Sequence, residues 1–161
     1  MAKKYHAITI VPEIAAYNFT ANEIMCNLTK LPLPVRMGES CKLVDVKAVD
    51  GSNIGNDLIV FFVENNSGGN LGTLNAPFSI NFSNLNKNIY LGHRVLDAHT
   101  SISNVDFFES SALGEPNIVL RAAKEGEGVE TGCYFSLISE DGYDSSGLTT
   151  NMISLTFTFE V

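Results

Sequence analysis

The chain has 161 residues, a formal net charge of −8 and a sequence pI of about 4.7. Its 18 acidic residues against 10 Lys and Arg argue against nucleic acid and anionic membrane surfaces as partners, because both attract basic proteins. The length fits one domain, and no apolar run approaches the roughly 20 residues that span a bilayer. We therefore expect residues 1–161 to form one domain with a core of its own.

The first residues and the cysteines bear on where the chain is made. The first apolar stretch is broken by Pro12, so we find no pattern of a secretory signal. Cys26, Cys41 and Cys133 are odd in number, so at least one is unpaired within the chain. We predict buried, reduced thiols and synthesis in a reducing cytoplasm, and a Cys26–Cys41 bridge stays open as the alternative.

The N-terminal half of the chain contains three clear strand patterns. Residues 5–11 are rich in β-formers and are followed by a proline, which suits a strand end. Residues 42–49 alternate, with Val44 and Val46 predicted on the same side. Residues 58–63 are all β-branched, aliphatic or aromatic, and this short run favours a central strand covered on both faces.

The C-terminal half shows the sharpest alternation, at residues 153–161. Its apolar side chains point to one face: Ile153, Leu155, Phe157, Phe159 and Val161. Further strands are predicted at residues 23–28, 76–82, 89–91, 103–107, 117–122 and 133–139. Helical periodicity is weak, and only single turns are predicted, at residues 85–91 and 107–114.

Eight to ten short strands separated by Gly, Asn and Ser turns are typical of two packed antiparallel sheets. We therefore predict an all-β fold, an antiparallel β-sandwich of jelly-roll type, with an immunoglobulin-like sandwich as the alternative.

No motif in the sequence assigns catalysis. His6, His93 and His99 lie outside nucleophile motifs, and there is no Gly-x-Ser-x-Gly segment. The cysteines and histidines also lack the spacings of zinc sites. We predict no catalytic residue, no metal ligand and no cofactor, and expect a protein that is not an enzyme.

Two weaker signals concern calcium and sugars. Residues 140–147 hold three carboxylates and two glycines, but they lack the EF-hand spacing and its closing glutamate, so we predict a solvated hairpin tip. Tyr17, Tyr134 and Tyr143 are candidates for stacking on sugars, but we favour core or strand-end positions, which are the commoner role of such residues.

Three stretches together resemble small structural proteins of bacteriophage virions, of the capsid-decoration or head-fibre type. Residues 16–23 are similar to a Tyr-Thr-Ala-Gly-Asp segment of those proteins, with Asn22 where they usually have glycine. Residues 43–82 combine a Val-Asp-Val strand, an aliphatic-aromatic strand and a polar loop. Residues 133–138 and 155–159 resemble the closing pair of strands.

The resemblance implies a non-enzymatic virion protein of a tailed phage that decorates or cements the outer surface of the capsid. Its partners would be other virion proteins, above all the major capsid protein, and further copies of itself, a trimer being one symmetric option. Lys3, Lys4 and Tyr5 are predicted to contact the capsid or a neighbouring copy. Two alternatives are a receptor- or glycan-binding module of a tail or head fibre and a hydrolase with a scattered site.

Overall fold

We describe the protein from a computed structural model, and the described residues are 2–14, 16–52, 56–66, 68–69, 72, 74–76, 82–110, 117–123, 132–144 and 153–161. The elements in these ranges are β1 (Tyr5–Ile10), β2 (Asn18–Phe19), β3 (Glu23–Ile24), β4 (Thr29–Pro32), β5 (Ser40–Asp50), β6 (Leu58–Val63), α1 (Phe82–Asn88), β7 (Tyr90–Leu96), β8 (Ala98–Ile102), β9 (Val105–Glu109), β10 (Ile118–Arg121), β11 (Gly132–Ser139), β12 (Tyr143–Asp144) and β13 (Ile153–Glu160).

Most of these strands form two antiparallel sheets. Sheet I has the order β1-β13-β5-β9-β8, and β10 pairs with residues 40–43 of β5, on the edge that β9 shares at residues 48–50. Sheet II has the order β3-β11-β6-β7, and β4 pairs with residues 132–135 of β11, beside β3. The short strands β2 and β12 pair with each other.

The pairing is nested, as in a long hairpin rolled into two layers. The first long strand pairs with the last (β1 with β13), β4 pairs with β11, β5 with β9, and β6 with β7. This nesting is that of a jelly roll, so the predicted all-β sandwich is confirmed and its strand order favours the jelly roll over the immunoglobulin-like alternative.

The core lies between the sheets and is built by strict alternation. On β13, Ile153, Leu155, Phe157 and Phe159 are buried, while the residues between them are half-buried. Phe157 contacts aromatic rings of sheet II: its centroid lies 6.0 Å from that of Phe62 and 5.1 Å from that of Phe135.

The central strands β6 and β11 of sheet II are covered on both faces. The side chains of β6 that point away from the core join a second buried cluster, formed by Ile24, Phe61, Val63, Tyr134 and Ile138. Leu74 packs against this cluster from the segment that follows β6. All eight residues of β11 are buried. The prediction that residues 58–63 form a strand covered on both faces is confirmed.

Several local predictions were wrong, for identifiable reasons. The register of β5 and β13 shifts between Thr158 and Phe159, so Val44 is the extra residue of a β-bulge and Leu43 takes the core position instead. Phe82 begins α1 rather than ending a strand, and residues 77–81 lie outside the described residues. In the predicted solvated tip at residues 140–147, Asp141 and Asp144 are exposed, but Tyr143 is buried because residues 143–144 form β12 with β2; residues 145–147 lie outside the described residues.

Candidate docking surface

The outer face of sheet I, here called the open face, is the broad sheet surface that the described residues leave in contact with solvent. Register places Thr9, Thr156 and Lys47 side by side across β1, β13 and β5 on this face. The hydroxyl oxygens of Thr9 and Thr156 are 2.9 Å apart and form a hydrogen bond. The face is therefore polar.

The charges on the open face largely neutralise one another. Lys47 lies 3.7 Å from Asp45, and Lys3 and Lys42 lie 3.0 and 3.9 Å from the two carboxylate oxygens of Glu160. Exposed pairs of this kind add little stability. Their consequence is electrostatic: a chain of net charge −8 presents one nearly neutral face, on which repulsion between copies is weak.

An apolar patch lies on the open face where β9 meets β8. Phe107 is 43% exposed and stands opposite Thr100 on β8 and Val49 on β5. Ile102, at the end of β8, is 61% exposed and stands opposite Val105. Large apolar side chains grouped on a flat sheet are a common feature of interaction surfaces.

The three predicted contact residues lie at the rim of the same sheet. Lys3 and Lys4 precede β1, and the backbone oxygen of Lys4 accepts a hydrogen bond from Val161 N (3.0 Å). The hydrogen bond to Glu160, and its charge, raise the pKa of Lys3. Tyr5 is 58% exposed and lies opposite Glu160 on the open face. Their contact role stays a prediction.

At one end of the sandwich acidic side chains converge; we call it the acidic end, defined by Asp57, Asp97, Glu140 and Asp141. Glu140 N donates to Asp57 O at 3.0 Å. Burial, followed by the charges of acidic neighbours, raises the pKa of both Asp57 and Glu140. Among the described residues, no three His, Cys, Asp or Glu side chains are grouped so that they could hold a metal ion.

A buried polar network lies at the same end of the core. Asp50 and Asp106 are register partners on β5 and β9, and both are completely buried. Tyr143 Oη donates to the two carboxylate oxygens of Asp50, at 3.0 Å each, and Ser52 Oγ lies 2.7 Å from the same hydroxyl. Ser101 Oγ donates to Asp106 Oδ1. Because these carboxylates do not reach solvent, their first role is structural.

The histidines are distributed over separate strands. His6 lies on β1, His93 on β7 accepts or donates a 2.7 Å hydrogen bond with Tyr90 Oη, and the ring of His99 on β8 lies 5.6 Å from that of Phe108. The three histidines therefore lie apart and do not form one site.

The structure separates the three candidate tyrosines. Tyr134 and Tyr143 are buried, which confirms the favoured core positions and removes them as sugar-stacking residues, whereas Tyr17 is 39% exposed. Sequence analysis missed Tyr90, which is 44% exposed and stacks on Phe61 with a centroid distance of 4.8 Å. The strand predicted at residues 89–91 is shorter than β7, but the alternation of Tyr90 with the half-buried Leu91 could have indicated that Tyr90 faces solvent.

All three cysteines are free and buried, which confirms the predicted buried thiols; the alternative Cys26–Cys41 bridge is not formed. Burial raises the pKa of Cys26 and of Cys41 to about 11, and burial also raises the pKa of Cys133. At neutral pH these groups are thiols of low reactivity.

Comparison with known proteins does not assign a family. No protein-family model and no curated protein matches the chain. Among the described residues, no helix has the length and apolar character of a membrane span.

Proposed function

We propose that the chain is a non-enzymatic structural protein of a bacteriophage virion, a capsid decoration protein that assembles as a homo-oligomer on the outside of the head. The virion assignment comes from the resemblance of three sequence stretches. The docking mechanism comes from the geometry of the open face.

The observation that carries the docking mechanism is the difference between the two sheets. The central strands β6 and β11 of sheet II are covered on both faces, whereas sheet I leaves one face to solvent, with neutralised charges and an apolar patch at Phe107 and Ile102. Burying apolar surface contributes about 25 cal/mol per Å², so a modest contact repeated over a capsid adds up. Assembly then follows from surface complementarity and needs no chemical step.

Two further points support the virion assignment. Jelly rolls recur among capsid and lectin domains, although a fold does not define a function. Asn22 stands where the phage proteins usually have glycine, and its φ is 63°, in the left-handed region that glycine and asparagine adopt most readily. The residue thus meets the same backbone requirement as the glycine it replaces.

The rim residues fit the same proposal. Lys3, Lys4 and Tyr5 lie at the rim of the open face, where Lys3 pairs with Glu160 and Lys4 adds positive charge in an acidic protein. They would contact an acidic stretch of the major capsid protein or of a neighbouring copy at the border of the docked surface.

The experiment compares phage particles with and without the chain by electron microscopy and osmotic shock, and then adds back purified protein. We expect wild-type protein and the M37E control, which changes a residue 51% exposed outside the strands, to bind the particles. F107E should lower occupancy about tenfold or more, because it buries a charge in the contact. Particles that never carry the chain, or that bind F107E as well as wild type, would contradict the proposal.

A second candidate, a glycan-binding module, is favoured by one observation. An exposed aromatic stack is formed by Tyr90 and His93 together with the buried Phe61. Asn65 and the adjacent Asn66 lie near this stack, because Asn65 N donates a hydrogen bond to Asn88 O, two residues before Tyr90. A flat aromatic surface beside amide groups suits a sugar. A glycan array with wild-type and Y90A protein tests it: binding that Y90A abolishes would favour this candidate, and an array without any bound glycan would remove it.

A further inference from the structure

Strand β8 is an edge strand of sheet I. It pairs with β9 through all five of its residues and with no other described strand. Four of the five residues are exposed. One row of backbone N–H and C=O groups along β8 is therefore available for pairing with another strand.

Several other sheet edges carry features that discourage such pairing. Lys3 and Lys4 precede β1, and β4 contains Pro32, which lacks an N–H donor. On β7 the register shifts beside Gly92, whose φ is 144°. Strand β8 reads Ala-His-Thr-Ser-Ile, with no Lys, Arg, Asp, Glu, Pro or Gly and with unbroken register to β9, although Asp97 directly precedes it. Natural edge strands are usually protected by charge, proline or bulges, and β8 contains none of these within its five residues.

We propose that β8 pairs antiparallel with β8 of a second copy, about a two-fold axis at Thr100, so that two copies of sheet I join into one sheet. In this register Thr100 faces Thr100 of the second copy, and Ala98 faces Ile102 of the second copy. The same patch is used on both subunits, as closed two-fold symmetry requires.

Charge identifies a second copy as the occupant. The five residues of β8 bring no like charges together, although each chain carries a net charge of −8. Asp97, which belongs to the acidic end and directly precedes β8, faces Ser103 of the second copy. The two Asp97 residues then stand six positions apart, about 20 Å, which exceeds the Debye length in physiological salt. A parallel pair would place the two acidic ends together.

The apolar patch extends the contact. Ile102 covers Ala98 of the second copy on the open face, and Phe107 lies one strand behind Thr100. A five-residue pair is at the small end of specific interfaces, so we expect a dimer that dissociates on dilution. The pairing rests on the homo-oligomer of the proposed function and names the strand that forms it.

The experiment is a charge exchange at Thr100, an exposed position on the open face. T100K and T100E each place two like charges directly opposite each other at the axis, so each variant should raise the dimer dissociation constant about tenfold or more. Mixed in equal amounts, the two should form a heterodimer, because opposite charges then meet. T158K is the matched control, on the same face but on the interior strand β13, and should dimerise like wild type.

Sedimentation and light scattering from about 1 µM to 1 mM, roughly the range in which small interfaces dissociate, separate the outcomes. Wild type that stays monomeric throughout would overturn the self-association in the proposed function together with the β8 pairing. Wild type that associates equally well as T100K, or a T100K and T100E mixture without heterodimer, would overturn the β8 pairing alone. Virion occupancy, measured separately, tests the decoration role independently of either result.

Discussion

Replacing Tyr143 with phenylalanine removes one hydroxyl group from the buried network at the end of the core. The hydroxyl donates to both carboxylate oxygens of Asp50, at 3.0 Å each, and bonds to Ser52 Oγ at 2.7 Å. Phenylalanine keeps the ring and its burial, and Ser52 still donates to Asp50. The loss is thus one hydrogen bond to a buried charged group, about 2 kcal/mol of unfolding free energy.

For a domain of this length, that loss lowers Tm by roughly 4–8 °C. Urea unfolding followed by circular dichroism is the suitable assay, since the chain has no Trp and the substitution removes a tyrosine fluorophore. Y5F is the control: Tyr5 is 58% exposed, and the change should stay within about 0.5 kcal/mol. Y143F as stable as Y5F would refute the hydrogen-bond assignment, because it would mean that Asp50 does not depend on this donor.

Three further predictions concern other parts of the fold. R121A should lower the free energy of unfolding by about 2 kcal/mol, because it leaves the buried carboxylate of Glu64 without the guanidinium that lies 2.6 Å from it. K47A, which removes an exposed ion pair, should change the free energy of unfolding by no more than about 0.5 kcal/mol in the same urea assay. G132A should destabilise by at least about 2 kcal/mol, since its new Cβ would clash with a backbone oxygen of β4; a normal Tm would contradict this packing. D57N should raise Tm at pH 7 and match wild type in acid. The folded-state pKa of Asp57 lies above its ordinary value, so the Asp57 carboxyl lowers stability as pH rises through that range. Sodium chloride at 0.5 M, roughly enough to screen surface charges, should shrink the difference in Tm between D57N and wild type.

The sequence predicted the fold where burial sets a clean period. The alternation at residues 153–161 located β13, although Val161 itself lies beyond the strand and is exposed. The apolar run at residues 58–63 predicted coverage on both faces, since a strand with one wet face does not remain apolar throughout. Strand order needed the structure, because nested pairing depends on contacts far apart in sequence.

The missed elements have weak local signals. Strand β8 is mostly exposed, so it has no apolar alternation, and β4 contains Pro32, which argues against a strand in any sequence pattern. The bulge at Val44 is set by the partner strand and cannot be detected in β5 alone. Of the candidate site, the sequence predicted only the rim residues Lys3, Lys4 and Tyr5. The other residues of the open face could not be grouped from the sequence, because they come from five separate strands.

Strand β11 is buried along its whole length and paired on both sides. We therefore expect its amide hydrogens to exchange with deuterium mainly through global unfolding, so that their exchange rate reports the global unfolding free energy. Amides of the outermost strands exchange through small local openings at much lower free energy. In an exchange experiment β11 is therefore an internal reference, against which slowed exchange at a peripheral strand reports a bound neighbour rather than a change in the stability of the fold.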